Sequence, residues 1–539
     1  MSAARPVFLI GLDGATWDLL DPLLSAGDLP TLGALVASGG RATLRSVAPP
    51  ITPAAWSSFM TGKRPGKHGV YDFRVYDPRS YCDTFVSSRA VRGPTLWELL
   101  TQAGRRVAVV NLPMMYPPPP RAGTVVSGFD TPSLSAVFTH PAALKARLLE
   151  RIPDYFILPV TDPGDPALER DDSFERFVSA VERGIEQRMQ VALDLLADGP
   201  WDAFMIHFQE TDVLQHGTWR YIADRDRYPS RWERVRGAYR RLDRALAELL
   251  RAAPPAALVL VLSDHGFGSH TGRLFPNSLL RQWGYLSRRG QLRARLRRWL
   301  RKQLAVLGLV ERRAARVEAW ATRVREEGFG RALPLRWRGT RAYVAMAEIY
   351  GLLYLNLRGR EPAGTVSLGV EAERLLGELR ARLLAVKDPR DGGPLFADVA
   401  PGELLYPDDP LGRRPDLVLV PRPGFTVHRD LTHRWIDHYP AVAGTHRLEG
   451  VLLAAGDGVR PGVLQDGAEL IDLAPTVLVT AGLPIPEDMD GRVLAELFTE
   501  PPVIRHAPAA APVAAEEGAL SADETAQVTR RLQALGYLE

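Results

Sequence analysis

Residues 258–268 read Leu-Val-Leu-Val-Leu-Ser-Asp-His-Gly-Phe-Gly (LVLVLSDHGFG). Five consecutive Leu and Val residues, with no polar alternation, predict a strand covered on both faces. The run ends at Ser263, and the next two residues, Asp264 and His265, can carry chemistry. The same pattern recurs elsewhere. Val7–Leu12 is followed by Asp13-Gly14, and Phe204–Phe208 leads to Glu210-Thr211-Asp212. Further strand-length apolar runs occupy Val107–Val110, Leu417–Val420 and Val451–Ala454. Between such runs lie stretches with helical patterning, among them 94–103 (PTLWELLTQA) and 235–252. Strands alternating with helices predict an α/β fold with a mostly parallel central sheet. Such sheets bind ligands beyond the carboxyl ends of their strands. Three strands are thus expected to deliver acids to one edge.

The chain has 539 residues, more than one simple core accommodates, so at least two structural units are expected. Its formal net charge is +4, too small to suggest a nucleic-acid partner. The single cysteine, Cys82, excludes an internal disulfide and any Cys-rich zinc or iron–sulfur site. The apolar stretch near the N-terminus breaks at Asp13, too early for a signal-peptide core. No segment offers about 18 uninterrupted apolar residues. A cytoplasmic location is the expectation from these features.

The positive charge gathers between Leu286 and Arg341, where Arg alternates with Leu, Val and Trp in a basic amphipathic helical pattern. It reads as a helix with its Arg face in water, or as a contact for an anionic membrane surface. Residues 501–518, rich in Pro and Ala, read as a linker. A terminal helix should follow, with Ser521 and Glu524 as its capping box.

Asp13 or Asp264 alone would be an ordinary cap or turn residue. Asp264 beside His265 is more telling, because carboxylate and imidazole are both metal ligands. Asp212 and His216 are four residues apart, so on a helix they point the same way. Thr52 lies in PPITPAAWSSFMTGKRPGKHG, after Pro49-Pro50 and before Pro53, where a helix is expected to begin. A hydroxyl there is either the helix cap or a group placed where the helix N-terminus favours phosphate.

These pieces together resemble the alkaline phosphatase superfamily, in its type I phosphodiesterase/nucleotide pyrophosphatase branch. They are most similar to its bacterial and archaeal phosphohydrolase or phosphomutase group. The matching stretches are IGLDG at 10–14, ITPAAWSSFMTGKRPGKHGVYDF at 51–73, GPTLWELLTQAG at 93–104 and ETDVLQHG at 210–217. They continue with SDHGFG at 263–268, AGTHRLEGVLLAAG at 443–456 and DLAPTVLVTAGLPIPEDMDGR at 472–492. The resemblance implies an alkaline-phosphatase-like core with an inserted cap. It implies one metal held by Asp212, His216 and His446, and a second held by Asp13, Asp264, His265 and the Thr52 oxygen. Thr52 would be the nucleophile. His446, in its Gly-Thr-His motif, is preferred to His428, His433 and His438.

A His/Asp ligand set without Cys suits Zn²⁺, with Mn²⁺ as the alternative. Two such cations about 4 Å apart can clamp an in-line phosphoryl displacement that passes through phospho-Thr52. In the nucleotide pyrophosphatases of this branch an Asn after the His-Gly motif helps hold the phosphoryl group. By spacing, Asp72 stands in its place, and Lys63 and Lys67 could offset its charge. Asn356, Arg358 and Arg360, in a segment resembling the group's cap, are candidates for an anionic substrate group.

The expected organisation is a first part of the catalytic core at 1–270, an inserted cap at 271–400, a second core part at 401–500 and a linker with a short helix at 501–539. The expected substrate is a small phosphorylated molecule such as a nucleotide or sugar phosphate. A phosphomutase using the same site is the alternative. A non-enzymatic binder of anionic surfaces, working through residues 286–325, is the third reading.

Overall fold

The computed structural model describes residues 4–158, 166–288, 335–464, 467–509 and 520–534. Its centre is a ten-stranded sheet. Strands β1 (Val7–Leu12), β2 (Gly40–Arg45), β3 (Val107–Val110), β4 (Thr124–Val126), β5 (Thr139–His140), β6 (Ala203–Phe208) and β7 (Leu258–Leu262) belong to it. Further along the chain come β8 (Gly266–Leu274), β9 (Ala342–Ala347), β10 (Gly351–Leu355), β11 (Phe396–Pro401) and β12 (Leu417–Pro421). The last three named are β13 (Phe425–Val427), β14 (Ile436–Arg447) and β15 (Glu449–Ala455).

The middle of the sheet is parallel, with β7, β1, β6, β3 and β4 side by side. All six residues of β1 are buried, as are those of β6. This explains their unbroken apolar runs, since helices cover both faces. β15 pairs antiparallel with both β7 and β2 on one side and β5 antiparallel with β4 on the other, and beyond β2 the short strands Gly462–Val463 and Ala468–Glu469 pair with it in parallel. The mostly parallel α/β reading therefore holds, although 451–454 runs antiparallel to its neighbours.

Two details differ from expectation. The 417–420 run lies in another sheet, four-stranded and antiparallel, ordered β9-β10-β12-β11. A flat apolar run reports burial on both faces, and it does not report which sheet buries it. The helix expected at 235–252 begins earlier, at Pro229. Its first turns are Arg-rich and carry little apolar stripe. Ion pairs hold them instead, from Arg231 to Asp171 and from Arg234 to Glu175 and Glu182.

The helices that matter for the site are α1 (Thr52–Thr61), α2 (Leu96–Gln102), α3 (Asp171–Leu196), α4 (Glu210–Ala223) and α5 (Pro229–Ala252). α1 ends at Gly62, whose φ of 65° is the left-handed conformation that favours glycine at a helix C-terminus. α2 starts with a capping box between Thr95 and Glu98.

A second hydrophobic core is built on the four-stranded sheet and helix α6 (Val370–Leu384), with Tyr71 and Tyr76 reaching into it. A three-stranded sheet, β13-β8-β14, carries the chain between the two cores. Most of the basic segment, 289–325, lies outside the described residues. Within 501–518, His506–Ala507 pair with Ile485–Pro486, and 510–519 lie outside the described residues. The terminal helix α7 (Ala522–Ala534) follows Ser521, whose hydroxyl donates to Glu524 at 2.8 Å. Among the described residues no single helix is long and apolar enough to cross a membrane.

Candidate active site

Beyond the carboxyl ends of β1, β6 and β7 the structure gathers two triads of side chains. In the first, Asp212 Oδ1 lies 3.5 Å from His216 Nε2 and 3.5 Å from His446 Nε2. The two Nε2 atoms are 3.0 Å apart. Asp212 and His216 sit one turn apart on α4, as their spacing predicted. His446 arrives from β14, which pairs with β8 so that His446 stands opposite Phe267.

In the second triad, His265 Nε2 is 3.6 Å from Asp13 Oδ1 and 3.4 Å from Asp264 Oδ2. Thr52 Oγ1 lies 3.4 Å from the same nitrogen. The rings of His265 and His446 stack with centroids 3.7 Å apart, which places the triads side by side.

The hydrogen bonds around the histidines fix which nitrogen faces inward. His446 Nδ1 donates to Pro50 O at 3.1 Å, and His265 Nδ1 donates to Gly266 O at 3.0 Å. Each Nε2 lone pair is then turned toward the cluster. Asp13 Oδ1 and Asp264 Oδ2 are buried without a hydrogen-bond donor among the described residues. Inward-facing imidazole lone pairs and buried carboxylate oxygens are costly together unless a cation lies among them. Within each triad all ligand atoms fall within 4.8 Å of one another. The donor set therefore fits divalent cations.

Electrostatics without a cation point the same way. Burial pushes the Asp13 carboxyl up to about 7. Asp264 goes well above the usual carboxylate range, through burial and then the neighbouring Asp13. Burial pulls His216 down to about 3 and His446 to about 4, and it holds His265 well below its ordinary value. Neutral imidazoles are the form that ligates metals.

Thr52 is not a helix cap. Ile51 occupies the N-cap position, and Thr52 is the first helical residue of α1. Its hydroxyl is buried and points at His265.

The expected substrate residues do not join this cluster as a set. Lys63 is buried and paired with Asp488. Lys67 pairs with Asp490 at 2.5 Å and with Asp408 at 3.4 Å. Asp72 is buried and accepts a bond from the Phe73 amide at 2.6 Å, and burial pushes its carboxyl up to about 7.

Asn356 serves the second core. Its amide donates to the carbonyls of Trp337, Thr340 and Ala363, and its oxygen accepts from Tyr81 at 2.7 Å. Arg360 forks onto Asp416 at 2.9 and 2.7 Å. Arg358 is exposed. Of the other histidines, His438 binds Asp388 at 3.0 Å, His428 lies 3.0 Å from the Thr426 hydroxyl, and His433 is exposed.

Sequence reading passed over a layer behind the triads. Asp13 Oδ2 accepts from Trp56 Nε1 at 3.0 Å and lies 2.9 Å from His207 Nε2. Arg188 and Glu210 form a fully buried pair with 3.4 Å between Nε and Oε1. The available signal was a polar residue inside an apolar strand, the His of Phe-Met-Ile-His-Phe at 204–208.

Fold and site together define a hydrolase built on an alkaline-phosphatase-like α/β core. The family model described as type I phosphodiesterase / nucleotide pyrophosphatase matches residues 7–447, and the chain belongs to that family of phosphoric ester hydrolases, within the alkaline phosphatase superfamily. Among solved structures it is similar to phosphonoacetate hydrolase from Sinorhizobium meliloti in complex with phosphonoformate. That likeness has 17% identity and a TM-score of 0.55, covering 89% of this chain and 96% of the other. An inactive murine ectonucleotide pyrophosphatase / phosphodiesterase 5 in complex with AMP is more distant. It has 13% identity and a TM-score of 0.47, covering 89% of this chain and 95% of the other. No curated protein matches the sequence.

Proposed function

We propose that this chain is a divalent-metal-dependent phosphohydrolase that acts on a small phosphorylated molecule through a phospho-Thr52 intermediate. The observation that carries the reading is the Thr52 hydroxyl. It is buried, stands at the first position of a helix and faces His265 at 3.4 Å, beside one of two triads of metal-ligand type. Two cations, Zn²⁺ or Mn²⁺ by ligand chemistry, would be held by Asp212, His216 and His446 and by Asp13, Asp264, His265 and Thr52, and they would supply the positive charge that lowers the hydroxyl pKa and neutralises phosphoryl oxygens.

The chain's own groups do the rest. The N-terminal end of α1 favours the negative phosphoryl group beside Thr52. Thr52 Oγ forms a bond to phosphorus while the ester bond on the opposite side breaks. Water then attacks the same phosphorus, the bond to Thr52 breaks and the hydroxyl is restored. His446 and His265, each anchored through Nδ1, keep their rings fixed through both steps. The second core, next in sequence to the β7–β8 turn that carries Asp264 and His265, is the unit we assign to substrate selection.

The experiment is a panel of p-nitrophenyl phosphate, bis-p-nitrophenyl phosphate and nucleotide sugars, run with and without EDTA and with metal analysis of the purified protein. The reading expects release of nitrophenol or nucleotide that EDTA abolishes and divalent metal restores. Full activity in metal-stripped protein contradicts it. Isomerised product without phosphate release would turn the same site into that of a mutase.

A further inference from the structure

We infer that Trp56 is a positioning residue that divides the two oxygens of Asp13, committing Oδ2 to its indole N–H so that Oδ1 is presented to a cation. The inference rests on the metal-dependent reading above and deepens it. Oδ2 accepts from Trp56 Nε1 at 3.0 Å and has His207 Nε2 2.9 Å away, and Gln209 also hydrogen-bonds this carboxyl. Oδ1 has no hydrogen-bond donor among the described residues and faces His265 Nε2 at 3.6 Å. A carboxylate free to rotate could offer either oxygen. Here one is already used.

The two rings are locked by their own surroundings. They meet edge to face, with centroids 4.9 Å apart at 82°. His207 sits on β6 in register with Gly11 of β1, two residues before Asp13. Gly11 leaves the passage through which both rings reach Asp13. A methyl group on it would lie 2.9 Å from Trp56 Cη2 and 3.0 Å from His207 Cδ2.

Behind His207, Nδ1 lies 3.1 Å from Asn111 O, and Asn111 Nδ2 donates to His207 O at 3.0 Å. Asn111 has a φ of 62°, a conformation that Asn tolerates better than most residues.

Trp56 has a further consequence. It lies one helical turn after Thr52 on α1. The helix that carries the nucleophile therefore also carries a donor that orients Asp13. Any shift of α1 would move the hydroxyl and this ligand together, so their spacing is maintained by one rigid element.

The test compares wild type with Trp56→Phe, which keeps an aromatic ring and removes the donor. Zn²⁺ binding to metal-stripped protein is measured by calorimetry against a competing chelator, and the melting temperature of each metal-free protein is recorded. Loss of an outer partner typically weakens a metal site about 10–100-fold. Trp56→Phe should weaken one of two Zn²⁺ equivalents by that factor and leave the other unchanged.

Wild-type affinity for both equivalents in Trp56→Phe overturns the inference. So does a parallel loss at both sites that tracks the metal-free melting temperature. A wild-type protein that takes up no Zn²⁺ overturns the metal-dependent reading itself, an outcome separate from these.

Discussion

Replacing Thr52 by Ala removes one hydroxyl and one methyl group from a fully buried position. The fold should tolerate this. The hydroxyl makes no capping bond, and its contact to His265 is long at 3.4 Å. The lost methyl is worth about 0.8 kcal/mol of burial, and the weak hydroxyl contact adds little, so a cost of about 1 kcal/mol is expected. Catalysis should respond on a different scale. Without the attacking oxygen no covalent intermediate forms, and loss of a nucleophile costs on the order of 10⁴-fold or more in turnover. Thr52→Ser keeps the oxygen and should retain measurable activity. The assay is the kcat of bis-p-nitrophenyl phosphate cleavage at saturating metal, with thermal melting of the same samples. An Ala variant that is folded, metal-loaded and within about tenfold of wild-type turnover would refute the assignment.

Three further outcomes follow from the geometry. Asp212→Asn weakens the oxygen shared between His216 and His446, both 3.5 Å away, so metal analysis should find about one equivalent fewer while the Asp13 site still fills. Cation uptake should weaken as pH falls. Burial raises metal-free Asp13 to about 7, so below that pH a proton must leave the carboxyl before a cation binds. The apparent affinity should fall by at least about tenfold per unit there, read by calorimetry, and Asp264, raised in the same direction, adds to the trend. His216 and His446, neutral down to about 3 and about 4, add nothing to that slope. Asn356→Ala should cost about 2–3 kcal/mol in denaturant unfolding, because the half-buried carbonyls of Trp337 and Ala363 and the Tyr81 hydroxyl lose its bonds, yet leave KM for the substrate unchanged.

The site was legible where side chains follow strands. Asp13 and Asp264 stand directly after apolar runs, and Asp212 with His216 has the spacing of one helical turn, so local pattern alone aimed them at one edge. His446 was chosen from the motif around it, because nothing local in its strand distinguishes it from His438. Thr52 was ambiguous for a physical reason. A hydroxyl at a helix start can cap or react, and only the placement of Ile51 at the cap and of His265 opposite decides between them.

His207 and Trp56 were passed over because their partner, Asp13, is far away in sequence. Asn356 and Arg360 read as substrate ligands because a polar side chain that satisfies buried carbonyls resembles, in sequence, one that awaits an anion. The sheet was legible in its parallel centre. The antiparallel placement of β15 and the separate sheet of β12 depend on long-range pairing that an apolar run does not encode.

The central claim is that phosphoryl transfer passes through Thr52. The most direct measurement is mass spectrometry of metal-loaded enzyme, acid-quenched during turnover of bis-p-nitrophenyl phosphate and digested to peptides. The account predicts a phosphoryl adduct on Thr52 in the peptide spanning residues 51–63, absent after prior EDTA treatment. Steady turnover with Thr52 unmodified at every quench time would contradict it.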